Sequence, residues 1–223
     1  MNELLPYLAE NMIVEVTGKQ LLPGKLVDVG PDILVLYHQD RYLYIPTAHV
    51  YSLKPDAVGS DDSIGGTDEP SVLLHTDPIT LSSVLQEAKG LFVEIYVSGS
   101  KPIHGYLHGI MNDFLVIHSP IYNAVYVSTR HMKWLIPYPT SHIPYARSVD
   151  KMSMKPLAPV GAGSFEDLCK KEEGNMVVMD VGGQTAKLGV IKKVNSGIID
   201  FIDANGSNKL INVHHVKTMY APK

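Results

Sequence analysis

The chain has 223 residues, of which 45% are hydrophobic and 19% are charged, so it can bury a core and is not an intrinsically disordered protein. Its 19 Lys and Arg residues against 23 Asp and Glu residues give a net charge of -4, whereas proteins that hold a nucleic-acid backbone usually carry a basic surplus. Cys169 is the single cysteine, which excludes an intramolecular disulfide framework.

The N-terminal residues MNELLPYLAENMIVEV contain no basic region followed by a long apolar run, so no secretory signal is expected. No stretch approaches the roughly 18 apolar residues that a membrane-spanning helix needs. These features predict a cytoplasmic protein with no membrane span.

The first predicted elements are a weak helix, NELLPYLAEN, and an apolar strand, MIVEV. Residues 23–36, PGKLVDVGPDILVL, then read as a bent β-hairpin, because a glycine precedes alternating apolar positions and a Gly-Pro-Asp turn separates two β-branched runs. The segment YLYIPTAHVYSL supplies two further strands.

The same pattern occurs twice more, in HGYLHGIMNDFLVI (104–117) and LGVIKKVNSGIIDF (188–201). A histidine follows the aligned glycine at a nearly constant distance, 25 residues in the first copy and 26 in the other two. This constancy predicts a tandem repeat. The repeated positions are Gly24, Gly105 and Gly189 for the glycine, and His49, His131 and His215 for the histidine.

A short helix is predicted before each later copy. Asp77 and Pro78 favour a helix start before ITLSSVLQEAKG, with Asp77 as the capping residue. Ser164 is predicted to cap the helix in SFEDLCKKEEG, which Gly174 ends.

The predicted fold is therefore mainly β, with three tandem small barrels, each a short N-terminal helix and about five antiparallel strands. The barrels span residues 1–55, 77–138 and 164–223. A linker rich in Gly, Ser, Pro and Asp is predicted at 56–76, and a second linker, richer in Pro, Met and Tyr, is predicted at 139–163.

The helix and five strands, with a long second strand that carries a glycine, resemble the Sm-like (SH3-like) small barrel. Residues 24–36 resemble its first signature, and YIPTAHV lies where the second is found. The segment DILVLYHQDRYLYIPTAHVYSL is most similar to uncharacterised small-barrel domains of spore-forming bacilli, including a germination-linked spore-coat protein type. That resemblance implies a structural role, with deposition on the spore coat.

Sm domains that bind RNA use an Asp, an Asn and an Arg-Gly pair to hold a base. Aligned on the family pattern, the three copies lack this set, and nucleic acid is not an expected partner. The Asp position holds Gly30, Met111 and Asn195; the Asn position holds Leu34, Leu115 and Ile199; the pair is replaced by Pro46-Thr47, Ser128-Thr129 and Asn212-Val213.

No nucleophile, phosphate-binding or zinc-protease motif occurs, so we expect no catalytic residues, no cofactor and no metal site. His104 and His108 lie four apart on a predicted strand, about 13 Å along the backbone, which is too far for a shared ligand without strong bending. The recurring histidines have two interpretations, a shared ligand or pH sensor, or hydrogen-bonding residues at the turn into the last strand. Cys169, beside Lys170 and Lys171, is either a buried helix residue or a thiol for an intermolecular crosslink.

Aromatic residues cluster near the fourth and fifth strands and are candidates either for an interface or for packing between neighbouring barrels. The sequence predicts a non-enzymatic structural or assembly protein that associates with itself or with other coat proteins. The alternatives are an Sm-like RNA-binding protein and a peptide- or ligand-binding adaptor. The candidate interface residues are Tyr42, Tyr44, Tyr122, Tyr126, Trp134 and Tyr220.

Overall fold

The computed structural model describes residues 2–56, 78–97, 101–141, 144–146, 156–181 and 186–222. The chain forms two compact units, one of residues 1–88 and 133–138 and one of residues 89–132 and 139–223. The predicted linker 56–76 lies outside the described residues except for Asp56, and the division into three domains stays a prediction.

Unit 1 is one antiparallel sheet with a short helix. Its strands are ordered β10-β4-β3-β2-β1-β5. The elements are a 3-10 helix Asn2–Tyr7, β1 (Asn11–Val16), β2 (Gln20–Val29), β3 (Ile33–His38), β4 (Arg41–Pro46), a 3-10 helix Thr47–His49, β5 (Val50–Pro55), α1 (Leu81–Glu87) and β10 (Trp134–Pro137).

Unit 2 contains nine antiparallel strands, ordered β14-β13-β12-β11-β15-β9-β8-β7-β6. Its strands are β6 (Phe92–Tyr96), β7 (Ile103–Ile110), β8 (Phe114–Ser119), β9 (Asn123–Ser128), β11 (Met176–Met179), β12 (Lys187–Asn195), β13 (Ile198–Asp203), β14 (Asn208–Asn212) and β15 (Thr218–Tyr220). Its helices are α2 (Phe165–Lys171) and the 3-10 helices Thr129–His131, Pro144–Ala146 and Val213–His215.

The prediction of a mainly β, antiparallel protein is confirmed, but closed barrels are not. Residues 11–55 and 176–220 each form five strands in the order fourth, third, second, first, fifth. In the described parts of both units, no fourth strand pairs with the fifth strand of its own five, so the sheets stay open. In unit 1, the free edge of β4 is instead occupied by β10, and in unit 2, the free edge of β9 is occupied by β15.

The three repeated glycines lie where the second strand runs close to the third. A Cβ atom on Gly24 would lie 2.8 Å from the carbonyl oxygen of Tyr37, and one on Gly189 would lie 2.1 Å from that of Ile202. Gly105 has the same environment, because its Cβ would lie 2.6 Å from the carbonyl oxygen of His118. Each second strand also shifts register two or three residues after its glycine, which bends the strand.

The predicted cap of the third helix is confirmed, because the Ser164 hydroxyl accepts a hydrogen bond from the Asp167 backbone N–H at 3.1 Å. The second helix begins later than predicted. Thr80 is its N-cap and forms a capping box with Ser83, whereas Asp77 lies outside the described residues. A capping box satisfies two backbone donors at once, which favours a start at Leu81.

Each unit buries an apolar core between its sheet and its helix. In unit 1 the strands contribute Val14, Leu26, Ile33 and Ile45, all without measurable exposure. In unit 2 helix α2 inserts Phe165 and Leu168 among buried residues of β8, β12 and β13. The unit 2 core is therefore shared between residues of the second and third predicted segments.

Candidate functional site: strand junctions and strand edges

Unit 1 contains a junction between strands of different predicted segments. Strand β10 pairs antiparallel with β4, with Leu135 opposite Tyr44. Helix α1 also contacts β4. The backbone N–H of Leu81, its first residue, donates to Oδ1 of Asp32 at 2.9 Å, so the turn between β2 and β3 holds the start of this helix.

Unit 2 contains an equivalent junction between β15 and β9. Met219 lies opposite Tyr126, and the Ser128 N–H donates to the Lys217 carbonyl oxygen at 2.9 Å. Helix α2 starts beside it, where the backbone N–H of Phe165 donates to Oδ1 of Asp113 at 2.7 Å. A side-chain acceptor at a helix start satisfies one of the unpaired N–H groups there.

The two junctions have the same register. Aligned on the repeated histidines, Tyr44 corresponds to Tyr126, and Leu135 corresponds to Met219. A fifth strand thus pairs with the fourth strand of the preceding segment in both units. An aspartate of that preceding segment accepts a hydrogen bond from the first backbone N–H of the next helix. The third segment has Gly197, with φ 76°, at the aspartate position.

Two strands have an unpaired outer edge within the described residues. Strand β5, a fifth strand, pairs only with β1, and strand β14, a fourth strand, pairs only with β13. They carry the most exposed large apolar side chains in the described residues, Tyr51 at 76% and Leu210 at 77%. The counterpart of Leu210 in unit 2, Tyr126, is 8% exposed beneath β15.

The predicted aromatic residues lie mostly at the two junctions. Tyr44 and Tyr126 occupy the central paired positions, and Tyr220 lies opposite Val125. The rings of Tyr122 and Tyr220 are 5.5 Å apart. This placement favours packing between neighbouring segments of one chain. Trp134 is buried in β10, whereas Tyr42 is exposed and its ring lies 5.1 Å from that of Tyr37.

The repeated histidines each end a one-turn 3-10 helix immediately before a fifth strand. Nδ1 of His49 lies 3.2 Å from the Thr17 hydroxyl. Nε2 of His131 lies 2.7 Å from the His214 carbonyl oxygen, and burial is the main cause of a lowered His131 pKa. His215 is exposed. The three side chains thus have different surroundings.

The position that holds an Asn in an Sm-type RNA site is occupied by a buried apolar side chain in all three copies. Leu34, Leu115 and Ile199 are 1% exposed or less. They offer no hydrogen-bond donor or acceptor to a base edge.

The other candidate residues lie apart from one another. Nε2 of His104 is 3.6 Å from Glu94 Oε2, while His108 is exposed. The described part of the chain contains no group of three His, Cys, Asp or Glu residues placed to share a metal ion. Burial raises the pKa of the Cys169 thiol to about 12, so this side chain is a core residue rather than a reactive thiol.

Among the described residues, none of the helices has both the length and the apolar character required to cross a lipid bilayer. Sequence reasoning identified Asp32 and Asp113 only as turn residues and missed their contact with the following helix. The available signal was their presence at one aligned position in two copies and a glycine in the third.

Open antiparallel strand pairing with a repeated fifth-to-fourth junction defines a mainly β protein, in which β5 and β14 have an unpaired outer edge within the described ranges. The chain is 32% identical over 225 residues, covering 100% of both chains, to a Bacillus subtilis (strain 168) protein with the name Uncharacterized protein YwrJ. Residues 164–219 match the family model described as the YwrJ third domain. The chain belongs to the YwrJ family.

Proposed function

We propose that this protein is a non-enzymatic assembly protein, in which β14 of one copy pairs with β5 of another copy. One observation carries the proposal. The chain joins a fifth strand to a fourth strand in each unit with the same register. Among the residues that the structure describes, one fifth strand and one fourth strand are unpaired at their outer edges.

The internal junctions fix the expected register between copies. Leu53 corresponds to Leu135 and Met219, so it would lie opposite Leu210 of the second copy. Asn212 corresponds to Ser128, and its backbone N–H would donate to the carbonyl oxygen of Tyr51.

Pairing would supply hydrogen-bond partners and apolar burial to the two exposed strand edges. The outer backbone groups of β5 and β14 would gain ladder hydrogen bonds, and Leu210 would lose most of its exposed apolar surface. Fully burying a leucine side chain stabilises by about 1.5–3 kcal/mol. Unpaired edges are otherwise sites of uncontrolled association. Since the pairing is head to tail, copies form either a closed ring or an extended series.

The long glycine-bearing second strands and the order of the strands support the resemblance to Sm-like small barrels, which we keep as part of the proposal. A location in the cytoplasm remains a prediction from the sequence, and deposition on the spore coat remains a prediction from that resemblance. RNA binding is the competing function. A filter-binding assay at low salt tests it, because phosphate contacts produce strongly salt-dependent affinity.

Size-exclusion chromatography with light scattering tests the assembly. We expect the full chain to have a mass that is a multiple of 24.5 kDa and to dissociate on dilution. Leu210→Lys should shift the chain to the monomer mass. Ile121→Lys is the matched control, because Ile121 is 73% exposed on the β8–β9 hairpin and belongs to neither β5 nor β14. A monomer at high concentration, or equal effects of the two substitutions, would contradict the proposal.

A further inference from the structure

Unit 2 contains a cavity of about 300 Å³ at the junction of its second and third segments, at the lower end of the range for ligand pockets. The β8–β9 hairpin forms one wall and helix α2 another. Residues 157–160, from the predicted second linker, cover a third side. None of the lining residues belongs to β5 or β14, so the cavity is separate from the proposed assembly edges.

The chain holds this linker segment in place. The exposed Lys171 ammonium donates a hydrogen bond to the carbonyl oxygen of Val160. Leu157 and Val160 pack against the core of unit 2. The cavity is therefore a formed feature of unit 2, bounded by packed and hydrogen-bonded residues.

Two of the groups that line the cavity are acceptors, the Glu172 carboxylate and the Asn123 side-chain oxygen, beside hydroxyl groups that can donate or accept and the Lys171 ammonium. Glu172 is 3% exposed, and its Oε2 accepts a hydrogen bond from Asn175 Nδ2 at 3.1 Å. Oδ1 of Asn123 is buried and has no hydrogen-bond partner. Burial first, and then the Glu172 carboxylate, raises the pKa of Tyr126, and both residues line the cavity.

Aromatic rings form the remaining part of the wall. Tyr122 and Tyr220 lie together there, and Tyr126 lines the base. Aromatic faces attract cations, and an ammonium group has three hydrogens to donate to acceptors. An anion would be repelled by Glu172, and a purely apolar molecule would leave the Asn123 oxygen unsatisfied at a cost.

We propose that this cavity binds a small primary organic ammonium ion, with its charged group toward Glu172 and Asn123 and its carbon chain against the tyrosine rings. Lys171 lies at the exposed rim and is engaged with Val160, so the ammonium group of the ligand would be directed inward, away from this second cation.

Isothermal titration of the full chain with three probes of one shape tests the proposal. n-Butylammonium chloride should bind saturably with one site per chain. n-Butanol and sodium butyrate, which have the same carbon chain without the positive charge, should bind at least about tenfold more weakly, since a hydrogen bond to a charged group contributes roughly that factor.

Two variants locate the binding site. Glu172→Gln keeps the side-chain shape and should weaken n-butylammonium binding at least about tenfold. Asn123→Gly removes the amide while keeping a residue that tolerates the φ of 64° found there, and it should weaken binding about threefold to tenfold. Lys209→Gln on β14 is the control with unchanged affinity.

Circular dichroism establishes that each variant is folded. Should Glu172→Gln fail to fold, Asn123→Gly and the probe comparison still decide the matter. Equal affinity for butanol and butylammonium, unchanged affinity in Asn123→Gly, or no saturable binding to the folded wild-type chain would overturn the proposal.

Discussion

The proposed pairing of two copies places like charges opposite each other. With Leu53 opposite Leu210, the next pair of residues is Lys54 and Lys209. Their counterparts in the unit 2 junction are Tyr220 and Val125, which are uncharged and paired directly. Like charges directly opposite in a sheet destabilise the pairing, so the association of copies should be weaker than the junctions within the chain.

The size of this effect follows from the cross-strand geometry. Opposite side chains start from Cβ atoms about 5 Å apart, and the Lys209 ammonium lies 2.8 Å from Asp203 Oδ2. With the Lys54 and Lys209 ammonium groups ~8 Å apart in water, their repulsion is at most about 0.5 kcal/mol, because the Asp203 carboxylate offsets part of it. Lys54→Glu would exchange this repulsion for a similar attraction. The difference of at most roughly 1 kcal/mol should strengthen association by up to about fivefold per junction.

Sedimentation velocity over a dilution series measures this change. Lys54→Gln should show an intermediate gain, because it removes the repulsion without adding attraction. Added salt should strengthen wild-type association and weaken that of Lys54→Glu, because salt screens both interactions. The gain from Lys54→Glu should disappear in a Lys209→Gln background. An unchanged affinity in Lys54→Glu, or salt effects of the same sign in both proteins, would refute the reasoning.

Four further outcomes can be measured on the same chain. Gly189→Ala should lower the free energy of unfolding by several kcal/mol, because its Cβ would lie 2.1 Å from a backbone oxygen. The control Gly163→Ala should change this free energy little, because its Cβ would meet no atom closer than 3.5 Å. Urea denaturation measures both variants. Asp113→Ala should lower the same free energy by about 1 kcal/mol through loss of the contact at the start of α2. The pKa of His131 is lowered in the folded chain, so the contribution of this histidine to folding stability is complete above the ordinary histidine pKa of about 6.5. That contribution is lost as the pH falls below about 6.5 toward the folded-state pKa. In thermal unfolding, the melting temperature of His131→Gln should therefore fall less than that of the wild-type chain between about pH 7.5 and pH 5.5. The Cys169 thiol should react with iodoacetamide at least about 100-fold more slowly in the native chain than in urea, given its burial and its pKa of about 12, and fast native labelling would contradict the described core.

The recurrence of one local pattern made the strands predictable from sequence. The repeated glycines mark the place where the second and third strands approach closely, because a Cβ atom there would clash with the neighbouring strand. This requirement involves only two strands that are adjacent in sequence. The cap at Ser164 is equally local, because a helix start is decided within four residues. The aligned spacing from glycine to histidine then located the fourth and fifth strands.

Pairing between segments was not predictable in the same way. Whether a fourth strand closes on its own fifth strand or accepts that of the next segment depends on long-range contacts, so closed barrels were expected and open sheets were found. The hydrogen bonds that Asp32 and Asp113 accept from helices 49 and 52 residues later also depend on long-range contacts, and for that reason they were not predicted. The cavity in unit 2 depends on where the linker residues 157–160 pack, which their composition does not specify.

Cysteine crosslinking between copies tests the proposed strand pairing most directly. A chain carrying Leu53→Cys is mixed with one carrying Leu210→Cys under mild oxidation, and the buried Cys169 should take no part. Opposite Cα atoms in paired strands lie about 5.5 Å apart, within the range that a disulfide spans. We predict a covalent dimer on a non-reducing gel for this mixture, and little product when the cysteine at position 210 is moved to Ile211. The absence of a dimer, or equal yields for both positions, would contradict the pairing of β14 with β5.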